Sequence, residues 1–147
     1  MEIPFGSEKK YPCCSSDVII LNEKNEVLLT RRGVEPFKNS WILPGGRIKQ
    51  ESPVDAAVRE VYEEIGVTVE IDRLYGVYTS EGKDPRGGRI TIAFVGHIVK
   101  GTPQKTLEVL DTLYFAKDEL PNDIGFHHKD ILDEFFKYPE GQIIHKK

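Results

Sequence analysis

Residues 45–67 read GGRIKQESPVDAAVREVYEEIGV, and this stretch contains the clearest helix signal in the chain. Ser52 is a preferred N-cap, Pro53 suits the first helical position, and Gly66 can adopt the left-handed conformation that commonly ends a helix. Four apolar side chains recur at helical spacing between these limits and predict one face packed on a core: Val54, Val58, Val61 and Ile65.

Three carboxylates fall on the opposite face of this helix. Glu60 and Glu64 are i, i+4 neighbours, and like charges at that spacing cost a few tenths of a kcal/mol. Arg59 lies one turn before Glu63 and can relieve that acid, but one cation cannot neutralise all three. The small residues Ala56–Ala57 are expected to leave room beside the acids.

A solvated polar face is the simplest alternative for such a helix. Here, however, the acids are clustered, and Glu51 and a glycine pair precede the helix. Gly45 and Gly46 allow a backbone carbonyl to turn toward the helix. Hard divalent cations take oxygen ligands of these kinds. We therefore expect a metal site, with Mg²⁺ as the ion and Mn²⁺ as the alternative.

The rest of the chain predicts a mixture of strands and one further helix. With 147 residues, 39% hydrophobic and 30% charged, the chain is expected to form one globular domain over residues 1–147. The elements do not alternate as βαβ units, which favours an α+β fold. Strands are predicted at 18–21, 27–31 (tightly connected to the first), 41–43, 67–78, 89–100 and 107–115, and a second helix at 130–138.

Composition excludes several classes of function. The net charge is −4 and the basic residues are scattered, so no nucleic-acid-binding surface is expected. No apolar run approaches the ~18 residues of a membrane span, and the first ten residues do not resemble a signal peptide. Cys13 and Cys14 are adjacent and provide no disulfide framework, which favours a reducing, cytoplasmic setting.

Residues 45–67 resemble the Nudix box, the signature of hydrolases that cleave nucleoside diphosphates linked to another moiety. The resemblance implies an α/β/α sandwich with a mixed central sheet. Family members commonly count the first interval of the box from the second glycine of a Gly-Gly pair, whereas here the match uses Gly45. The loop before Glu51 is therefore one residue short, as in members that act on GDP-mannose.

The same resemblance implies roles for the acids. Glu60 and Glu64 match the principal metal ligands, Glu63 assists them, Arg59 holds the glutamates in place, and Glu51 supports that arrangement. Gly45 and Gly46 are the two candidates for a carbonyl ligand. The implied reaction is the metal-assisted attack of water on a diphosphate.

A proton acceptor for that water can come from the box or from elsewhere. In related enzymes an acid often precedes an aromatic residue and a segment like 115–121; here Tyr114 is the aromatic residue. Asp111 fits that position and Glu108 is the neighbouring candidate. Glu81 is a third candidate, and an exposed acid at a strand edge is the simpler interpretation of each.

Segments outside the box resemble small ADP-ribose pyrophosphatases of bacteria and archaea. The matching stretches are 35–46, 75–87 and 126–132, the last carrying a histidine at 127 where an acid is usual. Trp41 is expected in the core, and His127 and His128 are expected to cap or pack rather than bind a metal. The candidates for substrate contacts are Arg31, Arg32 and Arg86 for phosphate, Asp84 in the same turn as Arg86, and Phe37 for base stacking.

The expected function is therefore Mg²⁺-dependent hydrolysis of ADP-ribose to AMP and ribose 5-phosphate. The alternatives are a hydrolase of GDP-mannose or another nucleoside diphosphate sugar, a (d)NTP pyrophosphatase, and a sensor that binds ADP-ribose without cleaving it. The expected partner is a small-molecule nucleotide, and related enzymes often pair as homodimers.

Overall fold

The computed structural model describes residues 12–143, so the expectation about a signal peptide at residues 1–10 lies outside the described part of the chain. The elements are β1 (Cys13–Ile20), β2 (Val27–Arg32), β3 (Trp41–Ile42), β4 (Gly45–Arg47), α1 (Pro53–Ile65), β5 (Thr68–Thr79), β6 (Arg89–Lys100), β7 (Val109–Phe115), a 3₁₀ turn (Lys117–Glu119) and α2 (His128–Lys137).

The strands form two sheets. One has the order β4-β1-β6-β5, in which β1 runs parallel to β6 and the outer strands pair antiparallel. The other is antiparallel, with the order β3-β2-β7. The predicted mixed sheet is confirmed. The tight turn after β1 leads into the other sheet, and the two chain segments meet at a bridge between Leu21 and Val27.

The two helices cover opposite faces of these strands. Along β1, Val18 and Ile20 belong to the core on the α1 side and Ile19 to the core on the α2 side, as side-chain alternation in a strand requires. The helices contribute Ala57, Val61 and Ile65 from α1, and Ile131, Leu132 and Phe135 from α2. The expected α+β fold, an α/β/α sandwich, is confirmed.

The limits of α1 are those that its sequence predicts, but the buried face is rotated. Ser52 Oγ accepts a hydrogen bond from Asp55 N at 3.1 Å, and Gly66 has φ 72°. The prediction that Val54 faces the core is wrong, because 42% of this residue is exposed. Ala56 and Ala57 are fully buried instead of leaving open space, since α1 packs closely on β1 and β4.

Two strand segments escaped prediction because they are polar or glycine-rich. β1 begins at Cys13, five residues earlier than predicted, and its buried positions include Ser15, Ser16 and Asp17. The segment 45–47, expected as a turn, is β4. Trp41 packs edge-on against Phe115 with ring centroids 5.2 Å apart, as expected for a core residue. No helix within residues 12–143 is long and apolar enough to cross a membrane.

Candidate functional site

The glycine pair of β4 lies between β1 and the acidic face of α1. Gly45 pairs with Asp17 and has φ 151°, and a Cβ atom there would lie 2.2 Å from Ser16 O. At Gly46, a Cβ atom would lie 2.4 Å from the carboxyl carbon of Glu60. Gly45 is therefore required by the backbone, whereas a side chain at position 46 would displace the Glu60 carboxylate beside it.

The carboxylates of Glu60 and Glu64 are partly buried next to this strand. The Glu60 side chain is 16% exposed, and Glu64 Oε2 lies 3.5 Å from Gly45 N, which donates to it. Burial raises the pKa of Glu60, although the hydrogen bond from Arg59 opposes the shift. Burial, followed by the charges of Glu60 and Asp17, raises the pKa of Glu64 well above its usual value. Ionising both carboxylates is therefore unfavourable in the metal-free protein, above all at Glu64, which has no cationic partner comparable to Arg59 among residues 12–143.

In the register of the β1–β4 pairing, the N–H and C=O groups of Gly45 form no hydrogen bonds with β1. Val18 N donates to Pro44 O, and Ile48 N donates to Cys14 O, which marks those residues as hydrogen-bonded pairs. Gly45 lies at the intervening, non-hydrogen-bonded position, where backbone groups turn away from the partner strand. Its N–H points to Glu64 accordingly.

These donors fit a hard divalent cation. Two carboxylates that repel each other, beside a glycine backbone free of the ladder, offer the oxygen ligands that Mg²⁺ prefers. Within residues 12–143, no three His, Cys, Asp or Glu side chains form a ready-made metal cluster. The third box acid, Glu63, is 53% exposed and is bonded to Arg59.

Arg59 holds the acids of the box together. Its guanidinium donates to Glu51 through Nε at 3.0 Å and Nη2 at 2.5 Å, to Glu60 at 2.9 Å and to Glu63 at 3.1 Å. It also donates to Arg47 O at 3.1 Å. The hydrogen bond with Glu51 lowers the pKa of that acid and raises the pKa of Arg59. Arg59 is therefore a positioning residue.

A cavity of about 310 Å³ opens beside the acids, and its walls carry opposite charges. Asp17 and Glu64 are the acids that line it, and Arg32, Arg47, Arg86 and Arg89 are the arginines that line it. Acids that attract a metal and arginines that attract an anion thus share one space. A metal-bound phosphate ester or anhydride is the kind of ligand that satisfies both.

The arginines are fixed by Asp84 and Phe126. The guanidinium groups of Arg32 and Arg86 lie 5.2 and 5.0 Å from the centre of the Phe126 ring. Burial and the charge of Arg86 lower the pKa of Arg32. The Asp84 side chain is 1% exposed and binds Arg86 at 2.9 Å and Arg89 at 3.2 Å. Burial alone would raise the pKa of Asp84, but its bonds to these arginines leave it lowered. Asp84 thus orients the guanidinium groups of Arg86 and Arg89 without lining the cavity itself.

Three predicted substrate contacts lie outside the cavity lining, namely Asp84, Arg31 and Phe37. Arg31 is exposed, and its Nε donates to Asn39 O at 3.1 Å. Phe37 packs against Phe126 with ring centroids 4.7 Å apart, so it supports the ring beneath the arginines.

The two acids of the β7 region have different surroundings. Glu108 is exposed, and its charge acts on both Glu64 and Arg32. Asp111 lies opposite Arg31 in the β2–β7 pairing and accepts a hydrogen bond from Thr112 N. Glu108 is therefore the one of the two that shares the electrostatic environment of the cavity.

The sequence prediction missed several cavity residues. Asp17 and Arg89 carry no motif that singles them out, and Phe126 begins the matching stretch 126–132 but is not among the expected site residues. His128 is buried, as the expectation of packing implies, and it also bonds within the cavity, where its Nδ1 accepts from Leu43 N at 3.0 Å and its Nε2 lies 3.2 Å from Asp17. The ring proton therefore lies on Nε2 and is directed to Asp17. The adjacent histidines were the one available signal.

Comparisons with known proteins place this site in a family. The NUDIX domain model matches residues 15–135. An ADP-ribose pyrophosphatase of Methanocaldococcus jannaschii is 33% identical over 132 residues, which cover 89% of this chain and 77% of that protein. A human 8-oxo-dGDP phosphatase, NUDT18, is 32% identical over 127 residues, covering 84% of this chain and 38% of that protein.

A solved structure shows the same architecture. The crystal structure of a NUDIX hydrolase from Nitrosomonas europaea matches with a TM-score of 0.77 and 30% identity, covering 95% of this chain and 78% of that one. The domain match spans most of the chain and includes the glycine pair, the acids of α1 and the arginine-lined cavity. The chain belongs to the NUDIX hydrolase family.

Proposed function

We propose that this hydrolase cleaves ADP-ribose to AMP and ribose 5-phosphate in the presence of Mg²⁺, with Mn²⁺ as the alternative ion. The observation that carries the proposal is that Glu64, whose carboxylate lies beside that of Glu60, lines the same cavity as Arg32 and Arg86, because a diphosphate bound to a metal ion complements both kinds of charge. The 33% identity to an ADP-ribose pyrophosphatase over most of both chains supports the substrate.

Glu60 and Glu64 would hold the ion, together with the carbonyl of Gly45, which the strand register leaves unpaired with β1. The Gly46 carbonyl belongs to the hydrogen-bonded position of the ladder and is the weaker candidate. A bound ion would polarise a phosphoryl oxygen and lower the pKa of water. Glu63 would assist at the edge of the site, while Arg59 and Glu51 fix the side-chain positions.

Arg32 and Arg86 would bind the diphosphate. Each guanidinium presents a planar set of donors suited to phosphate oxygens, and Phe126 and Asp84 keep both groups at the cavity wall. The mutual repulsion of the two arginines favours an anion between them. Arg31 is left out of this set, since its side chain is directed to Asn39.

Glu108 is the proton acceptor that we propose for the attacking water. It is exposed and its charge acts on Glu64, so it is close enough to the acid pair to accept a proton from water bound there. We expect Glu108→Gln to lower kcat about 100-fold. Asp111→Asn is the matched control and should change kcat by less than about threefold, and equal effects of the two variants would contradict the assignment.

A panel of ADP-ribose, GDP-mannose and dATP, each with Mg²⁺ in ¹⁸O-labelled water, tests the function. We expect the highest kcat/KM for ADP-ribose, with ¹⁸O recovered in a phosphate group of AMP or ribose 5-phosphate. Release of free mannose with labelled sugar would favour the GDP-mannose alternative. A preference for dATP would favour nucleotide cleansing, in line with the similarity to an 8-oxo-dGDP phosphatase. Tight binding of ADP-ribose without any product would identify a sensor.

The remaining proposals concern the chain as a whole. We propose one catalytic domain that acts on a small nucleotide in a reducing, cytoplasmic environment, consistent with the two free cysteines. Sedimentation at several concentrations would test the expected homodimer.

A further inference from the structure

His127 is a buried polar residue that the proposed mechanism leaves without a task. It is 5% exposed, and neither ring nitrogen has a hydrogen-bond partner among residues 12–143. Burial and the neighbouring His128 lower its pKa, so the ring is neutral at pH 7. A neutral imidazole has one N–H donor and one nitrogen acceptor. A buried ring with both groups unmet gains most from a ligand that offers both a donor and an acceptor.

The ring of His127 lies between two cavities. It lines the charged cavity of about 310 Å³ and also a second one of about 230 Å³. The first alone is at the lower end of the range of roughly 300–1,000 Å³ for pockets that enclose a drug-sized ligand. A substrate with a nucleoside, two phosphates and a further moiety therefore needs space beyond the first cavity, and the second adjoins it at His127.

The lining of the second cavity suits hydroxyl groups rather than phosphate. It carries Glu81, Asp130 and Thr79 and contains no arginine, and Lys83 outside it is paired with Asp130. Carboxylates accept hydrogen bonds from hydroxyls and repel phosphate oxygens. The first cavity differs in being lined by four arginines, which attract phosphate oxygens.

We propose that the second cavity is a sugar subsite, in which a pentose of the substrate hydrogen-bonds to His127 and to the acids Glu81 and Asp130. The inference rests on the proposed function, because it assumes a substrate that joins a sugar to the diphosphate. Two pentoses offer this chemistry, the ribose of the nucleoside and the ribose beyond the diphosphate. His127 is then a specificity-determining residue, whose neutral ring selects hydroxyls over a charged group.

The first test is a kinetic comparison of His127→Phe with the parent. Phenylalanine keeps a ring but removes both nitrogens, and we expect the KM for ADP-ribose to rise about tenfold, as for the loss of one or two neutral hydrogen bonds, with kcat changed less than about threefold. His97→Phe is the matched control, because His97 is partly exposed and bonds Asp72 away from both cavities. His127→Asn, which retains a donor and an acceptor, should have an intermediate KM.

Substrate analogues identify the sugar. If the pentose beyond the diphosphate occupies the subsite, His127→Phe leaves the KM for the methyl ester of ADP unchanged. If the nucleoside ribose occupies it, the KM for the methyl ester rises, but the KM for its 2′,3′-dideoxy form does not. An unchanged KM for ADP-ribose, or an equal rise for all three compounds, would overturn the subsite.

A binding measurement keeps the subsite testable if ADP-ribose is not hydrolysed. The imidazole proton resonance of His127, assigned by its loss in His127→Phe, is followed in titrations with D-ribose and with inorganic phosphate. The subsite predicts a saturable shift with ribose, and this shift should persist when inorganic phosphate already saturates the first cavity, which His127 also lines. No shift with ribose would overturn the subsite independently of the catalytic result.

Discussion

Replacing Gly46 with alanine adds a methyl group directly against the Glu60 carboxylate. The new Cβ atom would lie 2.4 Å from both the carboxyl carbon and Oε2 of Glu60, and ordinary van der Waals contact begins at 3.4 Å. The difference, 3.4 − 2.4, means that the carboxylate must move by about 1 Å. The backbone at Gly46 does not have a positive φ, so alanine can adopt its conformation.

The displacement falls on a flexible side chain, so its cost is expected in activity rather than in stability. A misplacement of about 1 Å at a reacting centre lowers rates by roughly 100-fold. We expect Gly46→Ala to lower kcat/KM for ADP-ribose by about that factor and to weaken Mg²⁺ binding. Its free energy of unfolding, measured by urea denaturation without metal, should stay within about 1 kcal/mol of the parent value.

Gly45→Ala is the informative comparison, because the same methyl group meets backbone there. It would lie 2.2 Å from Ser16 O and 2.6 Å from Asp17 Cα, at φ 151°. Strain of this kind costs about 1–3 kcal/mol before any clash is relieved, so this variant should be clearly destabilised. The reasoning is refuted if Gly46→Ala retains parental kcat/KM, or if Gly45→Ala is as stable as the parent.

Three further outcomes follow from the charges. Glu64→Gln should lower kcat/KM at least about 100-fold. At pH 7 it should nevertheless unfold at a higher temperature than the metal-free parent, because the pKa of Glu64 is raised and the folded parent loses stability as the pH rises through that pKa. Asp84→Asn weakens the ion pairs with Arg86 and Arg89, so it should raise KM and lower the unfolding free energy by about 2 kcal/mol at pH 7. The difference in stability from the parent should shrink as the pH falls below 3.8, because the Asp84 carboxylate is then protonated first in the unfolded chain. The parent should lose stability as the pH falls below 6.5, because the unfolded chain protonates His127 first, and His127→Phe should remove that part of the loss. The slope removed is at most about 1.4 kcal/mol per pH unit for one proton, measured by denaturation at pH 7 and 5.5.

Each outcome has a result that contradicts it. Mg²⁺ should raise the melting temperature of the parent more than that of Glu64→Gln, and equal increases would remove Glu64 from the metal site. A parental KM in Asp84→Asn would show that the two arginines need no anchor. A pH dependence of stability unchanged in His127→Phe would show that protonation of this ring does not oppose folding.

The chain sequence was sufficient to predict the elements whose signals are local. The limits of α1 follow from Ser52, Pro53 and Gly66, which act through their own backbone conformations. The strand β6 was predicted with its observed limits, 89–100, because a long run of β-branched and aromatic residues is unambiguous. Arg59 and Glu63 form the predicted i, i+4 pair for the same reason, since helix geometry alone brings them together.

The cavity could not be predicted in this way because its parts come from distant segments. Asp17 and His128 are separated by more than a hundred residues and meet only through the packing of α2 on the sheet. Val54 was misassigned because helical periodicity identifies an apolar stripe but not how closely a helix approaches a sheet. The buried alanines of α1 reflect that approach, which depends on the glycines of β4.

The charge distribution of the box implies that metal binding and folding are coupled. Arg59 compensates the charges of Glu51, Glu60 and Glu63. Glu64, however, accepts only one long hydrogen bond within the described part of the chain, from the backbone, and the charges of Asp17 and Glu108 act on it in addition to that of Glu60. A neutral side chain at position 64 would relieve the repulsion, so the carboxylate there lowers the stability of the metal-free protein. A divalent ion bound to the folded state would reverse that loss, because ligands that bind only the folded state stabilise it. The acid that costs stability in the free protein is thus the one expected to contribute most when the ion binds.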